Sequence, residues 1–517
     1  MGKSTQTKQG VRLSSLHVNP LNFDHKSNNY LLILLNNVIF QQVLFFSRLL
    51  IDVSSSSKII IIVTKKGKIH MLNMKQAAEQ VLVLSEKKGL KDVDVVVERS
   101  EALDVEIQEG KVEKVEQSTS LGLGVRVLDG GRTGLASTER LSSESIQHAF
   151  ENACENAKLQ DPTEVKMLDA PAEIPDSAAL ELYNPELDQL NTEDLTELGL
   201  SIEDAVKAAD KRVVSIPYLG VSRGSNESLL LSSRGVFYEQ QSNEVAAWCG
   251  PLLQDGDSRK SGMQIFHRRD WDKDAGNRIG TEAVEKASEL LSAAPIKGGK
   301  LPVVLDEHVA PRFLGMFFGA FSAESAQRGM SRLQGKLGQT IAAPELTLLD
   351  DPHHPGGNRS CFLDAEGFLT KPLPLIENGV FRNFLYHVES ACKENKNSTG
   401  HASRGYSGGI STRSHNLVWP RGDHSLEQLC SLNNKCLLVT QLEGQAGCNP
   451  VSGDISIGVQ GFLLENGLRI QPVDSITVAG NFFDVLQNIR ASGNAYQPEL
   501  THSFIPALLI EGLTVSG

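Results

Sequence analysis

The sequence predicts an α+β fold, and three observations carry it. Short runs alternate apolar and polar residues and are punctuated by Gly-containing turns, which marks antiparallel strands. Between them lie segments with apolar residues at three- and four-residue spacing, the period of amphipathic helices. Two Asn-Gly pairs, Asn378-Gly379 and Asn466-Gly467, each sit inside apolar alternation, a strong short-range hairpin signal. The expected architecture is a helix-flanked antiparallel sheet domain followed by a larger strand-rich domain built around a buried helix.

The elements follow in order. Residues 1–73 hold nine Lys/Arg against two Asp and no Glu, a balance of +7, so the remaining 444 residues carry −20 of the total −13. Within that stretch Leu31–Phe46 is apolar but broken by Asn36-Asn37 and Gln41-Gln42, whose amides are costly in lipid, so no membrane span is expected. Gln6 stands where a myristoylation site needs Ser or Thr. Residues 1–73 therefore read as a basic extension outside the main fold, consistent with a start codon placed upstream of Met71 or Met74.

Gln76–Lys88 reads as an amphipathic helix. Val93–Glu98, Leu103–Gln108, Val112–Gln117 and Leu121–Leu128 read as four strands, with turns at Glu109-Gly110 and Asp129-Gly130-Gly131. Ser142–Lys158 places Ile146, Ala149, Phe150 and Ala153 on one helical face. Residues 74–160 thus form a first α+β domain. Residues 161–192 hold Pro162, Pro171, Pro175 and Pro185 among many acids and no periodicity, the mark of a connector.

Residues 193–517 are expected to form a mixed α/β domain. Glu193–Lys211 is helical. Strands are predicted at Val213–Arg223 and Ser228–Gln241, joined through Gly224-Ser225-Asn226, then at Arg259–Arg269, before a helix at Ala275–Ala293. A short buried strand, Leu301–Leu305, leads to a helix whose Val309, Phe313, Met316, Phe317, Ala320 and Phe321 share a face. Pro311 has no N–H and must lie in that helix's first turn, giving a helix over Pro311–Ala326.

Composition narrows the function. Forty per cent apolar and 22% charged residues describe an ordinary folded chain. The acidity gives no support to nucleic-acid binding, which depends on Lys and Arg neutralising phosphates. The seven cysteines, Cys154, Cys249, Cys361, Cys392, Cys430, Cys436 and Cys448, form no C-x-x-C pair and read as reduced thiols. The runs Gly405-Tyr406-Ser407-Gly408-Gly409 and Gly444–Gly447 lack the Gly-Lys-Ser/Thr ending of a P-loop. Cys448 has no nearby histidine to activate it. His308, His353, His354 and His401, with Asp350 and Asp351 near two of them, are the candidates for a relocated metal site, and adjacent His353-His354 is an unusual spacing for one zinc.

Several segments carry a family resemblance: the strand–turn–helix of 301–330, Asn397-Ser398-Thr399-Gly400-His401-Ala402, Gln441-Leu442-Glu443-Gly444-Gln445-Ala446-Gly447, Ser452-Gly453-Asp454 and Ile476-Thr477-Val478-Ala479-Gly480-Asn481. In this order the chain, over most of 74–517, resembles the TldD/PmbA family and its PmbA (TldE) branch. The family's metal-binding branch carries His-Glu-x-x-x-His at the central helix and a later cysteine ligand. Laid onto that pattern, this chain has Asp306, Glu307 and Pro311, and residues 493–506 contain no cysteine. Asp306 and Glu307 read equally as helix N-terminal acids favoured by the macrodipole.

The resemblance implies a cytoplasmic, two-component metallopeptidase in which a TldD-like partner supplies zinc. This chain would hold no metal or catalytic residue of its own and would shape the chamber for unfolded or extended peptides, including precursors of peptide natural products. His401, Gly444, Gly447 and Asp454 are the groove residues it implies, and homodimerisation of the isolated chain is left open. The competing expectations are a stand-alone metal-dependent hydrolase with a site relocated around His308, and a regulatory protein with no enzymatic role.

Overall fold

The computed structural model describes residues 30–33, 46–53, 59–65, 71–444 and 446–517. It divides into two compact units, Met1–His70 and Met71–Gly517. In the first, Phe46–Val53 pairs antiparallel with both Tyr30–Ile33 and Ile59–Lys65. The reading of residues 1–73 as an extension, and of the amide-broken run Leu31–Phe46, falls largely outside the described residues.

The second unit opens with helix α1 (Met74–Lys88), whose Asn73 side chain accepts from Gln76 N while the Gln76 side chain accepts from Asn73 N. Strands β1 (Val93–Gln108), β2 (Lys111–Asp129) and β3 (Arg132–Thr138) follow, then α2 (Ser143–Lys158), capped by Ser142. The four strands predicted here fuse into two. Arg99–Ala102 is polar and reads as a break, yet it is paired on both sides, so the ladder carries it through.

After the connector come α3 (Thr192–Ala209), β4 (Val213–Ser232), β5 (Phe237–Asp255), β6 (Gln264–Arg268) and α4 (Gly276–Glu289). The turn expected at Gly224–Asn226 is absent. β4 runs straight through it, and the reversal comes at Ser233–Gly235, where Gly235 takes φ +87°. The predicted strand Arg259–Arg269 is interrupted at Gly262-Met263.

All six of these strands join one antiparallel sheet in the order β6-β5-β4-β1-β2-β3, so strands from before and after the connector share hydrogen bonds. Odd-numbered residues of β1 (Val93, Val95, Val97, Leu103, Val105, Ile107) are buried with the apolar faces of the four helices. Even-numbered ones face the other way: Asp94 and Val96 meet side chains from beyond residue 360. The period-two side-chain alternation of a strand thus separates a helix layer from a docking face.

The C-terminal half centres on β7 (Val303–Leu305), fully buried and paired in parallel with β8 (Lys435–Glu443) and antiparallel with Leu508–Ile510. β8, β9 (Asp454–Glu465) and β10 (Leu468–Asn481) complete the middle of an eight-stranded sheet. Both Asn-Gly pairs form the expected hairpins, with positive φ at each residue (48° and 75°; 51° and 78°). A five-stranded sheet that includes Leu348–Asp350 and Leu417–Val418 shares its hydrophobic core.

The single helix predicted over Pro311–Ala326 is three pieces: α5 (Val309–Gly315), a 3-10 turn at Phe318–Phe321 and a short helix Ala323–Gln327. Glycines at 315 and 319 weaken helix continuation, and Ser322 adopts extended backbone to cap the last piece. The apolar face still serves the core, where Phe317 stacks on Phe482 with ring centroids 4.9 Å apart.

Candidate substrate groove and buried histidine cluster

Asp306 ends β7 and begins the turn into α5. Its Oδ1 accepts from the N–H groups of His308 (3.0 Å) and Val309 (2.8 Å), so it caps donors that the helix start leaves unpaired. Burial pushes its carboxyl up to about 6, against the pull of those N–H groups. Glu307 is half-buried in the turn, and Pro311 is the third residue of α5, inside its first turn.

Asp306 and Pro311 both line a cavity of about 980 Å³. Its walls come from β6 (Ile265, His267), α5 and its C-cap (Arg312, Met316), β8 (Gln441, Leu442) and the segment Gln497–Ser503. His308 lies on the rim, its Nδ1 3.6 Å from Oε2 of Glu499.

These residues do not fit a zinc site of the family pattern. One Asp306 oxygen is committed to backbone donors, Pro311 has no donor atom, and 493–506 supplies no thiolate. The implied groove residues lie elsewhere. His401, Gly444, Gly447 and Asp454 are not among the described residues lining the cavity. Gly444 is exposed at φ +76° with open space around it, whereas a Cβ on Gly447 would lie 2.2 Å from the Ser456 carbonyl, so Gly447 packs closely on β9. Asp454 is exposed, accepts from Ser452 Oγ (2.6 Å) and Asn481 Nδ2 (3.1 Å), and is held below the usual carboxylate range by these bonds.

His401 is buried in a cluster that spacing could not announce. Asp350 Oδ2 lies 2.5 Å from His401 Nε2 and 3.2 Å from His415 Nδ1, and it also accepts the His415 backbone N–H at 3.2 Å. Thr399 Oγ1 hydrogen-bonds the far nitrogen of His401 at 2.8 Å. Burial opposes ionisation of Asp350, but the two imidazoles outweigh it and bring its pKa to about 2.

Asp350, His401 and His415 are the one trio among the described residues whose donor atoms converge within 4.8 Å, and they are the residue types of a two-histidine, one-carboxylate site. Here, though, the carboxylate already serves both rings directly, and the positive charge of Arg359 and of Arg413 acts on the cluster. The arrangement is a hydrogen-bonded knot between loops. His353 and His354 face different partners: His353 bonds Thr370 Oγ1 at 3.0 Å, and His354 packs on Phe504.

Fold and cavity together define a sheet-and-helix scaffold with a cavity of about 980 Å³ beside α5. Family models agree on the class: PmbA/TldA metallopeptidase domain 1 matches residues 93–157, the central domain 185–291 and the C-terminal domain 298–517. The chain belongs to the PmbA/TldD metallopeptidase family. It is 29% identical over 447 residues to the metalloprotease PmbA homolog of Haemophilus influenzae, covering 86% of this chain and 96% of that one. A crystal structure from Thermotoga maritima, described as a candidate modulator of a DNA gyrase, superposes with TM-score 0.77 at 27% identity (86% of this chain, 100% of that one). TldE from Thermococcus kodakarensis gives 0.75 at 25% identity (85% and 100%).

Proposed function

We propose that this chain is the PmbA/TldE-like subunit of a two-component cytoplasmic metallopeptidase acting on unfolded peptides. A TldD-like partner would hold the zinc, and this chain would shape the chamber in which an extended peptide lies. The observation that carries the reading is the cavity wall itself: Asp306, Pro311 and a cysteine-free Gln497–Ser503 stand where the metal-binding branch would place its ligands, beside a space of about 980 Å³. In this reading the apolar residues Ile265, Met316 and Leu442 exclude water and hold the peptide's side chains.

The test is reconstitution. The isolated chain should cut no unfolded peptide, and chelator-sensitive cleavage should appear on mixing with a His-Glu-x-x-x-His homologue from the same genome. Chelator-sensitive cleavage by this chain alone would overturn the proposal. That outcome would favour the stand-alone hydrolase, for which Asp350, His401 and His415 are the residues on hand. Failure to bind such a homologue or any peptide would favour a regulatory role.

A further inference from the structure

The cavity beside α5 contains two buried acceptor atoms that no group among the described residues satisfies: Oε2 of Glu499 and Oδ1 of Asn358. They share one wall. Asn358 N donates to the Thr501 carbonyl at 3.0 Å, Gly357 and Thr501 form a parallel bridge, and Glu499 is two residues along from Thr501. Buried acceptors are normally paired, so a carboxylate oxygen without a donor is free to accept from a group bound in the cavity.

The cations around the cavity do not fill this place. Lys286 Nζ donates to Gln264 Oε1 (2.5 Å), and Arg469 pairs with Glu289 (2.9 Å). Arg312 is on the exposed side of α5. His308 Nδ1, at 3.6 Å, is beyond hydrogen-bond reach of Glu499, and its side chain is 41% exposed. Across the space stand Ile265, Met316 and Leu442, which suit an aliphatic stem.

We propose that Glu499 and Asn358 form a subsite for an organic cation of the bound peptide, an N-terminal ammonium or a Lys or Arg side chain. Two acceptor oxygens lining one cavity suit a group with several N–H donors, a charged one gains most from the carboxylate, and an anionic group would be repelled. The proposal rests on the groove reading above and adds to it a substrate preference set by this chain rather than by its partner.

The full-length chain is titrated by fluorescence anisotropy against four unstructured hexapeptides labelled at the C-terminus. One carries a free N-terminus and Lys, one an acetylated N-terminus and Lys, one a free N-terminus and norleucine, and one an acetylated N-terminus and norleucine. At least one cationic peptide should bind roughly tenfold more tightly than the acetylated norleucine peptide, the scale of a single charge-assisted hydrogen bond. Which arms show the preference tells an N-terminal amine from a basic side chain.

Glu499→Gln should abolish the preference, and Asn358→Asp, which adds a negative charge, should increase it. Equal binding of all four peptides, or a preference that survives Glu499→Gln, overturns the subsite and leaves the groove standing. No binding of any peptide removes both. Where Glu499→Gln fails to fold, an Asn358→Asp preference no larger than wild type overturns the proposal.

Discussion

Oδ2 of Asp350 is 2.5 Å from Nε2 of His401, and both side chains are closed to solvent. The contact joins the end of strand Leu348–Asp350 to a loop 51 residues later, and the same oxygen holds His415 from the next loop. One carboxylate therefore fixes three segments of the C-terminal half. Asp350→Ala would leave two imidazoles and a backbone N–H without their acceptor in a buried site. The expected loss is about 3–5 kcal/mol, the range for breaking a buried charged network by removing one member. Urea unfolding should show a lower midpoint with an unchanged m-value. Treatment of the wild type with EDTA should leave its Tm where it was, because the carboxylate already bonds both rings directly.

A second network ties the N-terminal strands to the same half. Arg126 on β2 donates to Asp94 Oδ2 (2.7 Å) and Glu366 Oε1 (2.8 Å), and Arg404 Nη2 reaches Asp94 Oδ1 at 2.6 Å. Two arginines and two acids balance. The two guanidinium groups outweigh burial and hold Asp94 below its ordinary range. Arg126→Met fills the space but strands Glu366 and half-pairs Asp94. It should destabilise the protein by about 3–5 kcal/mol. Adding Glu366→Gln, which removes the stranded charge and leaves Asp94 paired with Arg404, should recover part of this, a non-additivity that chemical denaturation of the single and double variants will read.

Glycine 124 tests how the loop at 405–409 docks. A Cβ there would sit 2.0 Å from the Tyr406 carbonyl, and one on Gly122 would meet the Tyr406 ring. The loop lies directly on the backbone of β2, held by Glu98 Oε2 accepting from Tyr406 N at 2.9 Å. Gly124→Ala should lift the loop, lower stability by about 1–3 kcal/mol as overpacking does, and open a new tryptic cut at Arg404. An unchanged digestion pattern would show that the backbone absorbs the methyl elsewhere.

Local signals in the chain were readable and distant ones were not. Ser142 and the two Asn-Gly pairs act through neighbours within a few residues, and the elements they delimit are where the sequence places them. Arg99–Ala102 misled because polar residues suit a loop, and only pairing with β2 and β4 makes them strand. The helix after β7 misled in the opposite sense: its apolar period is real, but glycines at 315 and 319 and the capping Ser322 divide it. At the site, positions 306 and 311 are read from the family resemblance, and the structure adds that both line one cavity. The bond between Asn358 and Thr501, two residues from Glu499, spans about 140 residues, and Asp350 with His415 spans 65, so no local spacing could announce them.

His502 lines the cavity and offers a pH test. Burial lowers its pKa to about 4, and Arg359 and Arg413 add charge repulsion. In the unfolded chain an imidazole takes its proton near 6.5; in the native state this one waits until about 4. Between those values the unfolded state binds more protons, so stability falls as pH drops through the window. Asp306 works against it: its carboxyl, raised to about 6, keeps the native state the better proton binder between about 3.8 and 6, which favours folding as pH falls. The wild-type curve mixes the two slopes, whereas the difference between wild type and His502→Gln isolates the histidine. From pH 7 to 4.5 the variant should gain on the wild type by about 1–2 kcal/mol, discounted because the ring is partly solvated. Urea midpoints at pH 7, 6, 5 and 4.5 measure it. An offset that stays constant with pH would mean that His502 titrates alike in both states and that the two arginines do not act on it.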